Sequence, residues 1–522
     1  MIPTRQLART AAEAMEILRA QEDLLEGEVF VAANSHLVAR IHFTSHIPCN
    51  GVEEPKSLES VGVGIQGVFR SPAGPRLGFG SEGNDLTPAG IRRALVKARQ
   101  AAVADPEFVS LPRPTGEPRR LRRYHDPALF RLSDHDLVGA GWKVITHGLE
   151  VFARTPALAR LAGSEGAIPR LGLILSGDVS ILLERIAIAS THPASGGVQT
   201  DESTVILSDL TAMVEAAEAK GSGWSAGTRL HDFTGEAGAE AAENALRAMG
   251  GERVPGGRYR IIFGRQPIAD LLTNLVLPCL TAGSFYAETS AFQGRLGRRI
   301  ASPLLTLTDH GALRGATASK GITCEGLPTG KTRLIQRGRL VGLLANWYER
   351  ERILTDPQAA AKLGRNPHEV PRALVPRNGF RFGEGGGRRF ETPPGISPTN
   401  VIVESSRPVS REALLEEVGE GLYIGRIWYT YPINGLRAGD FTCTVVGDSF
   451  RIRDGRLASP IRANAIRIND NIQRLLRGIV GITAGRRETI VWGGDEVIHA
   501  PEIAVSDVRV DAIGEPRALS TP

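Results

Sequence analysis

Histidines, cysteines and carboxylates are the side chains that hold metals or activate nucleophiles, and the first two are thinly spread here: 11 histidines and four cysteines in 522 residues. His42 and His46 stand four apart with Cys49 close behind. On a strand the two imidazoles share a face but lie roughly 13 Å apart, so only a bent strand would gather all three around one ion. Ordinary surface or core histidines are the simpler reading. Cys324 and His310 lie on neighbouring segments, as a cysteine hydrolase would require, although a buried structural cysteine leaves the same trace. No G-x-S-x-G elbow occurs, so a serine hydrolase has no support.

Two glycine-rich stretches imitate nucleotide sites. GVGIQG at residues 62–67 spells the dinucleotide fingerprint, but that pattern works only between a strand and a helix. Here the glycines sit inside an alternating strand that turns at SPAGP and returns as RLGFG. GLPTGKT at residues 326–332 is one residue short of a phosphate loop, and Glu325 stands where the first glycine belongs, placing a carboxylate against the phosphate.

The stretch from residue 258 to 347 gives the second half its organisation. RYRIIF reads as a strand, Gly264 hands over to a helix, and Pro267 suits its first position. Ile268, Leu271, Leu272, Leu275, Val276 and Cys279 recur at helical spacing, and Pro278 should end or kink the helix. Before it, the sequence predicts a helix over residues 11–25, strands at 29–32, 37–43 and 60–69, a helix capped by Thr87 and begun by Pro88, and a second helix from Ser133 to Phe152. Gly177-Asp178 reads as a hairpin turn, residues 203–227 as strand with a glycine-rich turn, and residues 236–251 as a helix stopped by Gly250 and Gly251. After it, GFRFGEGGGRRF in the loop-rich region 366–398 reads as an exposed flexible loop or lid. Short strands follow with turns at Asn434-Gly435, Gly447-Asp448 and Asp454-Gly455. The pattern is α+β: a mixed domain over residues 1–255, ended by ERVPGG, and a strand-rich, barrel-like domain over 256–522.

Composition narrows the partners. Lys and Arg total 62 against 57 Asp and Glu, a net charge of +5 that is too small and too dispersed for a nucleic-acid surface. The densest basic run, at residues 119–125, follows a proline-rich connector and reads as a solvated linker. Four scattered cysteines suit a reducing compartment, no apolar run reaches membrane-spanning length, and the charged N-terminal helix is unlike a signal peptide. A cytoplasmic location is expected.

With TN at Thr399 and Asn400 and GDFT beginning at Gly439, Asp440 and Phe441, the 258–347 stretch resembles the TldD/PmbA family, whose TldD and TldE subunits form a zinc metalloprotease. In the TldD subunit the matching helix carries His-Glu-x-x-x-His. Here the equivalent positions read TNLVLP, with Thr273, Asn274 and Pro278 in place of the three functional residues, and the last cysteine, Cys443, precedes the tail where a third ligand would stand. The resemblance is therefore to the TldE (PmbA) subunit. It implies a chain without catalytic residues, metal or cofactor of its own, paired with a zinc-bearing TldD-like partner and acting on peptides or unfolded proteins. Thr399, Asn400, Gly439, Asp440 and Phe441 would then border a substrate groove, or hold turns through side-chain to backbone bonds. The alternative is a stand-alone homodimeric peptide-binding protein that helps mature a ribosomally made peptide.

Overall fold

The computed structural model describes residues 1–47, 50–114, 121, 124–192, 197–383, 386–491 and 496–514. Cys49, part of the basic run at 119–125 and part of the 379–390 loop lie outside them.

The first half is one antiparallel sheet of β1 (Leu24–Thr44), β2 (Lys56–Phe69), β3 (Arg76–Gly83), β4 (Leu173–Ser190), β5 (Gln199–Val214) and β6 (Ala219–Gly227), in the order 3-2-1-4-5-6. One face carries α1 (Thr4–Arg19), α2 (Pro88–Gln100), α3 (Asp134–Ala153) and α5 (Glu236–Arg247), with the short α4 (Pro156–Ala162) beyond α3. Two of these helices begin as their sequences require. Thr87 accepts from the Gly90 N–H before Pro88, and Ser133 forms a capping box with Asp136. The edge strands approach their helices so closely that only glycine fits: a Cβ at Gly78 would stand 2.0 Å from the Ala98 carbonyl oxygen, and one at Gly223 would stand 1.9 Å from that of Ala237.

Several local expectations fail in this half for one reason. The predicted strands at 29–32 and 37–43 are a single 21-residue strand, and Gly177-Asp178 is no turn but the middle of β4, paired with Ile41 and Arg40 on one side and with Leu210 and Asp209 on the other. A strand laddered on both edges runs through polar and glycine residues that would otherwise read as breaks. The glycine-rich GSGWSAG is likewise strand, and the turn before it falls at residues 215–218, where Glu218 adopts φ 48°. α1 begins at Thr4 and stops at Arg19, because Leu24 and Leu25 already belong to β1.

In the second half, β7 (Gly257–Phe263) lies inside a nine-stranded sheet curled into a half-barrel. Beside β7, Ile503–Ala512 runs antiparallel and Gly421–Ile424 parallel, and Arg426–Pro432 forms one edge. A six-stranded sheet containing Leu305–His310, Asn400–Ser405 and Val497–Ala500 packs with it around α6 (Arg265–Leu271) in the largest apolar core. The Asp454-Gly455 turn has positive φ at both residues, 48° and 69°, as a two-residue hairpin needs. No described helix is long and apolar enough to cross a membrane.

The described residues of the 379–390 loop contradict its expected exposure. Arg381 and Arg388 are among the largest fully buried side chains, and the segment is wedged against the first sheet. The Arg381 guanidinium bonds Glu28 at 2.7 Å and stacks over the Phe30 ring. A Cβ at Gly62 would come within 2.4 Å of the Phe390 ring and one at Gly64 within 2.3 Å of the Phe390 carbonyl oxygen, so these two glycines of GVGIQG make room for this loop.

Candidate functional site

The helix over residues 265–280, which holds Thr273, Asn274 and Pro278, starts normally and then widens. Pro267 is its third residue rather than its first, still inside the turn whose N–H groups have no helical partner. Residues 272–276 form a π-helical turn, with the Leu277 N–H reaching back to the Leu272 carbonyl, before a 3-10 turn ends the element at Leu280. Pro278 accounts for this: it has no N–H for the Asn274 carbonyl, and its ring would strike that carbonyl in a regular helix.

Thr273 and Asn274 sit on the widened turn, and neither offers a site for zinc. The Asn274 amide donates to the Asp270 carboxylate at 2.7 Å and to its carbonyl at 3.0 Å, while the Thr273 hydroxyl is buried without a partner. One turn earlier the Gln266 amide donates to the other Asp270 oxygen and to the Ile427 carbonyl, and its own oxygen accepts from the Ile427 N–H. Gln266, Asp270 and Asn274 thus form a largely buried stripe at helical spacing, bonded to one another and, through Gln266, to the Ile427 backbone. Zinc needs about three imidazole, thiolate or carboxylate ligands converging on one point. Among the described residues no three His, Cys, Asp or Glu side chains do so, and Thr273, Asn274 and Pro278 do not fit the metal.

Thr399 and Asn400 are fully buried at the start of their strand. Both the Thr399 N–H and its hydroxyl donate to one oxygen of Asp309, at 2.6 and 2.9 Å, and the Asn378 amide donates to the other at 2.7 Å. Burial pushes the Asp309 carboxyl up to about 6 against the pull of those bonds. Asn400 accepts from the Ala318 N–H and donates to the His310 carbonyl and the Ser319 hydroxyl, tying down residues 310–319. Elsewhere Gly439, at φ 77°, precedes Asp440, whose carboxylate accepts from the Asn471 amide at 2.9 Å, while the Phe441 ring is buried in the core.

The thiol and imidazole are not set up for hydrolysis. Cys324 is buried beside Phe30 and Phe380, and burial pushes its thiol up to about 12, whereas a nucleophile needs the thiolate. The His310 Nδ1 accepts from the Ala312 N–H at 3.3 Å. Native protein is expected to leave Cys324 unalkylated by iodoacetamide at pH 8 while unfolding exposes it, as peptide mass mapping would show. His42 and His46 are both exposed, the first 3.8 Å from Glu53 and the second beside the Thr44 hydroxyl.

Between the halves lies a cleft that sequence reading missed. One chamber, of about 470 Å³, is walled by Leu182, Leu207, Trp224 and Trp428, with Asp178 and Asp209 facing each other across β4 and β5. Burial, aided by the Asp178 charge, pushes the Asp209 carboxyl up to about 6. A second chamber, of about 330 Å³, shares Trp224 and Gln266 with the first. The only hint in the sequence is an isolated tryptophan among the glycines of GSGWSAG.

Residues 256–512 match the PmbA/TldA metallopeptidase C-terminal domain. A Synechocystis metalloprotease is 28% identical over 246 residues, 46% of either chain, and a Methanothermobacter thermautotrophicus metalloprotease is 22% identical over 259 residues, 50% of either chain. The chain thus spans about half the length of these curated relatives. In fold it resembles TldE from Thermococcus kodakarensis, with a TM-score of 0.74 at 19% identity over 95% of this chain and 100% of that one. A putative modulator of a DNA gyrase from Thermotoga maritima gives 0.71 at 17% identity over 96% and 99%. The domain match thus places the second half of the chain in the TldD/PmbA family, and the whole chain shares the fold of the TldE structure.

Proposed function

We propose that this chain is the non-catalytic, TldE-like subunit of a cytoplasmic two-component metallopeptidase, with a TldD-like partner supplying the zinc and peptides or unfolded proteins as substrate. The observation that carries this reading is the motif helix, where a threonine, an asparagine bonded to Asp270 and a helix-widening proline occupy the three functional positions. The scaffold around them is intact, so the chain's contribution is to shape or close the chamber in which its partner cuts. The purified chain is expected to bind no stoichiometric zinc and to leave an unstructured fluorogenic peptide uncut, and mixing with the TldD-like chain should bring cleavage. Chelator-sensitive cleavage by this chain alone would overturn the proposal.

The apolar chamber beside Trp224 and Trp428 favours a second reading, a homodimeric peptide-binding protein in the maturation of a ribosomally made peptide. Purification from the native cell separates the two, since only the first brings down a TldD-like chain.

A further inference from the structure

The smaller chamber is built from both halves and is nearly self-sufficient in charge. Arg487 pairs with Glu240 at 3.2 Å, Arg411 with Glu502 at 3.1 Å, and the Tyr423 hydroxyl donates to Glu502 at 2.8 Å. Three lining groups keep a buried polar atom without a hydrogen-bond or ion-pair partner among the described residues: the Trp224 indole N–H, and two charged groups of opposite sign. Arg265, half-buried at the start of α6, makes no side-chain hydrogen bond or ion pair among the described residues, and its Nε is sealed from solvent without a partner. Asp448 is 7% exposed; Ser222 donates to its Oδ2 through both N–H and hydroxyl, while Oδ1 has no partner. A buried polar group left unmade is costly, so orphan donors and an orphan acceptor in the same cavity mark contacts reserved for something else.

The charges restrict what that is. A simple anion would meet Asp448, Glu240 and Glu488 on the walls, and a simple cation would meet Arg265 and Arg247. A molecule carrying both charges satisfies Arg265 and Asp448 in turn. About 330 Å³ is the lower end of the range for small-molecule sites, roughly 300–1,000 Å³, which suits an amino acid or dipeptide rather than a folded segment.

We propose that this chamber binds a small zwitterion, a free amino acid or dipeptide, with its carboxylate on Arg265 and its ammonium on Asp448 Oδ1. A peptidase subunit with such a site would sense or retain short cleavage products, but binding itself does not depend on the two-subunit reading and is measured on this chain alone. The probes for titration calorimetry are the dipeptide alanyl-leucine, its C-terminal amide and its N-acetyl derivative. Amidation should weaken binding to the wild-type chain about tenfold or more, as loss of a charge-assisted contact does. Arg265→Met should weaken alanyl-leucine to the same degree and be indifferent to amidation, with Arg265→Lys recovering most of the affinity. N-acetylation should weaken binding to wild type but not to Asp448→Asn. Arg265 has no partner to lose, so the methionine variant is expected to melt as wild type does. Equal binding of the free and amidated dipeptides, unchanged affinity in Arg265→Met, or no heat with any probe at millimolar concentration would each overturn the proposal. None of these outcomes touches the zinc and mixing test.

Discussion

Replacing Arg388 with methionine is expected to destabilise the protein by about 3 to 5 kcal/mol, the range for breaking a buried ion pair by removing one partner. The guanidinium is fully buried and bonds the Asp201 carboxylate at 2.8 Å, and its Nε lies 3.4 Å from Glu184. Without it, the hydrogen bonds that Asp201 keeps come from neutral donors, the Gly321 N–H and the Tyr124 hydroxyl, each at 2.9 Å. Glu184 retains Lys320 and the Ser203 hydroxyl. The loss should therefore fall on Asp201 first, and adding Asp201→Asn to Arg388→Met should restore part of it. Urea unfolding midpoints measure both. A loss below about 1 kcal/mol, the ordinary worth of an exposed pair, would mean that the loop is not clamped in solution.

Acid should attack the same cluster. Burial alone would raise the Glu184 carboxyl, but the charges of Lys320 and Arg388 outweigh it and hold the group down at about 2. A carboxyl depressed by folding gives stability that is complete above its unfolded value, near 4.5, and is lost as pH falls toward the folded value. From 4.5 to about 2 that amounts to about 3 kcal/mol. The stability difference between wild type and Glu184→Gln should therefore be constant from neutral pH to about 4.5 and shrink by that amount below it, as chemical unfolding at a series of pH values would record. Asp309, Asp209 and Asp448 have the opposite sign. Their carboxyls are raised by burial to about 6, so each favours the fold below its unfolded value and loses that contribution as pH rises through about 6. A wild-type to Glu184→Gln difference that stays flat down to pH 2 would refute the assignment to Glu184.

Local chemistry was legible where local chemistry decides. Thr87 and Ser133 cap helices because their hydroxyls meet N–H groups three residues on, and Asp454-Gly455 turns because both residues tolerate positive φ. The motif helix was legible through its apolar spacing and through Pro278, although a π turn, not a simple stop, is what the proline produces. What sequence reading missed depends on partners far along the chain. Gly177-Asp178 resembles a turn until β1 and β5 occupy its two sides. GFRFGEGGGRRF looks like a solvent-loving lid, yet Arg381 meets a glutamate 353 residues away and the Arg388 N–H meets one 204 residues away. The cleft is of the same kind, since its walls come from both halves and no single stretch of sequence announces it.

That buried loop also governs how the gene can be rearranged. Arg381 and Arg388 belong to the second half, and the carboxylates that neutralise them, Glu28, Glu184 and Asp201, belong to the first. A chimera that joins the front of one relative to the back of another inherits locks from one parent and keys from the other. Viable recombinants should therefore be confined to parents that happen to share this set, which ties the two halves into a single unit of inheritance.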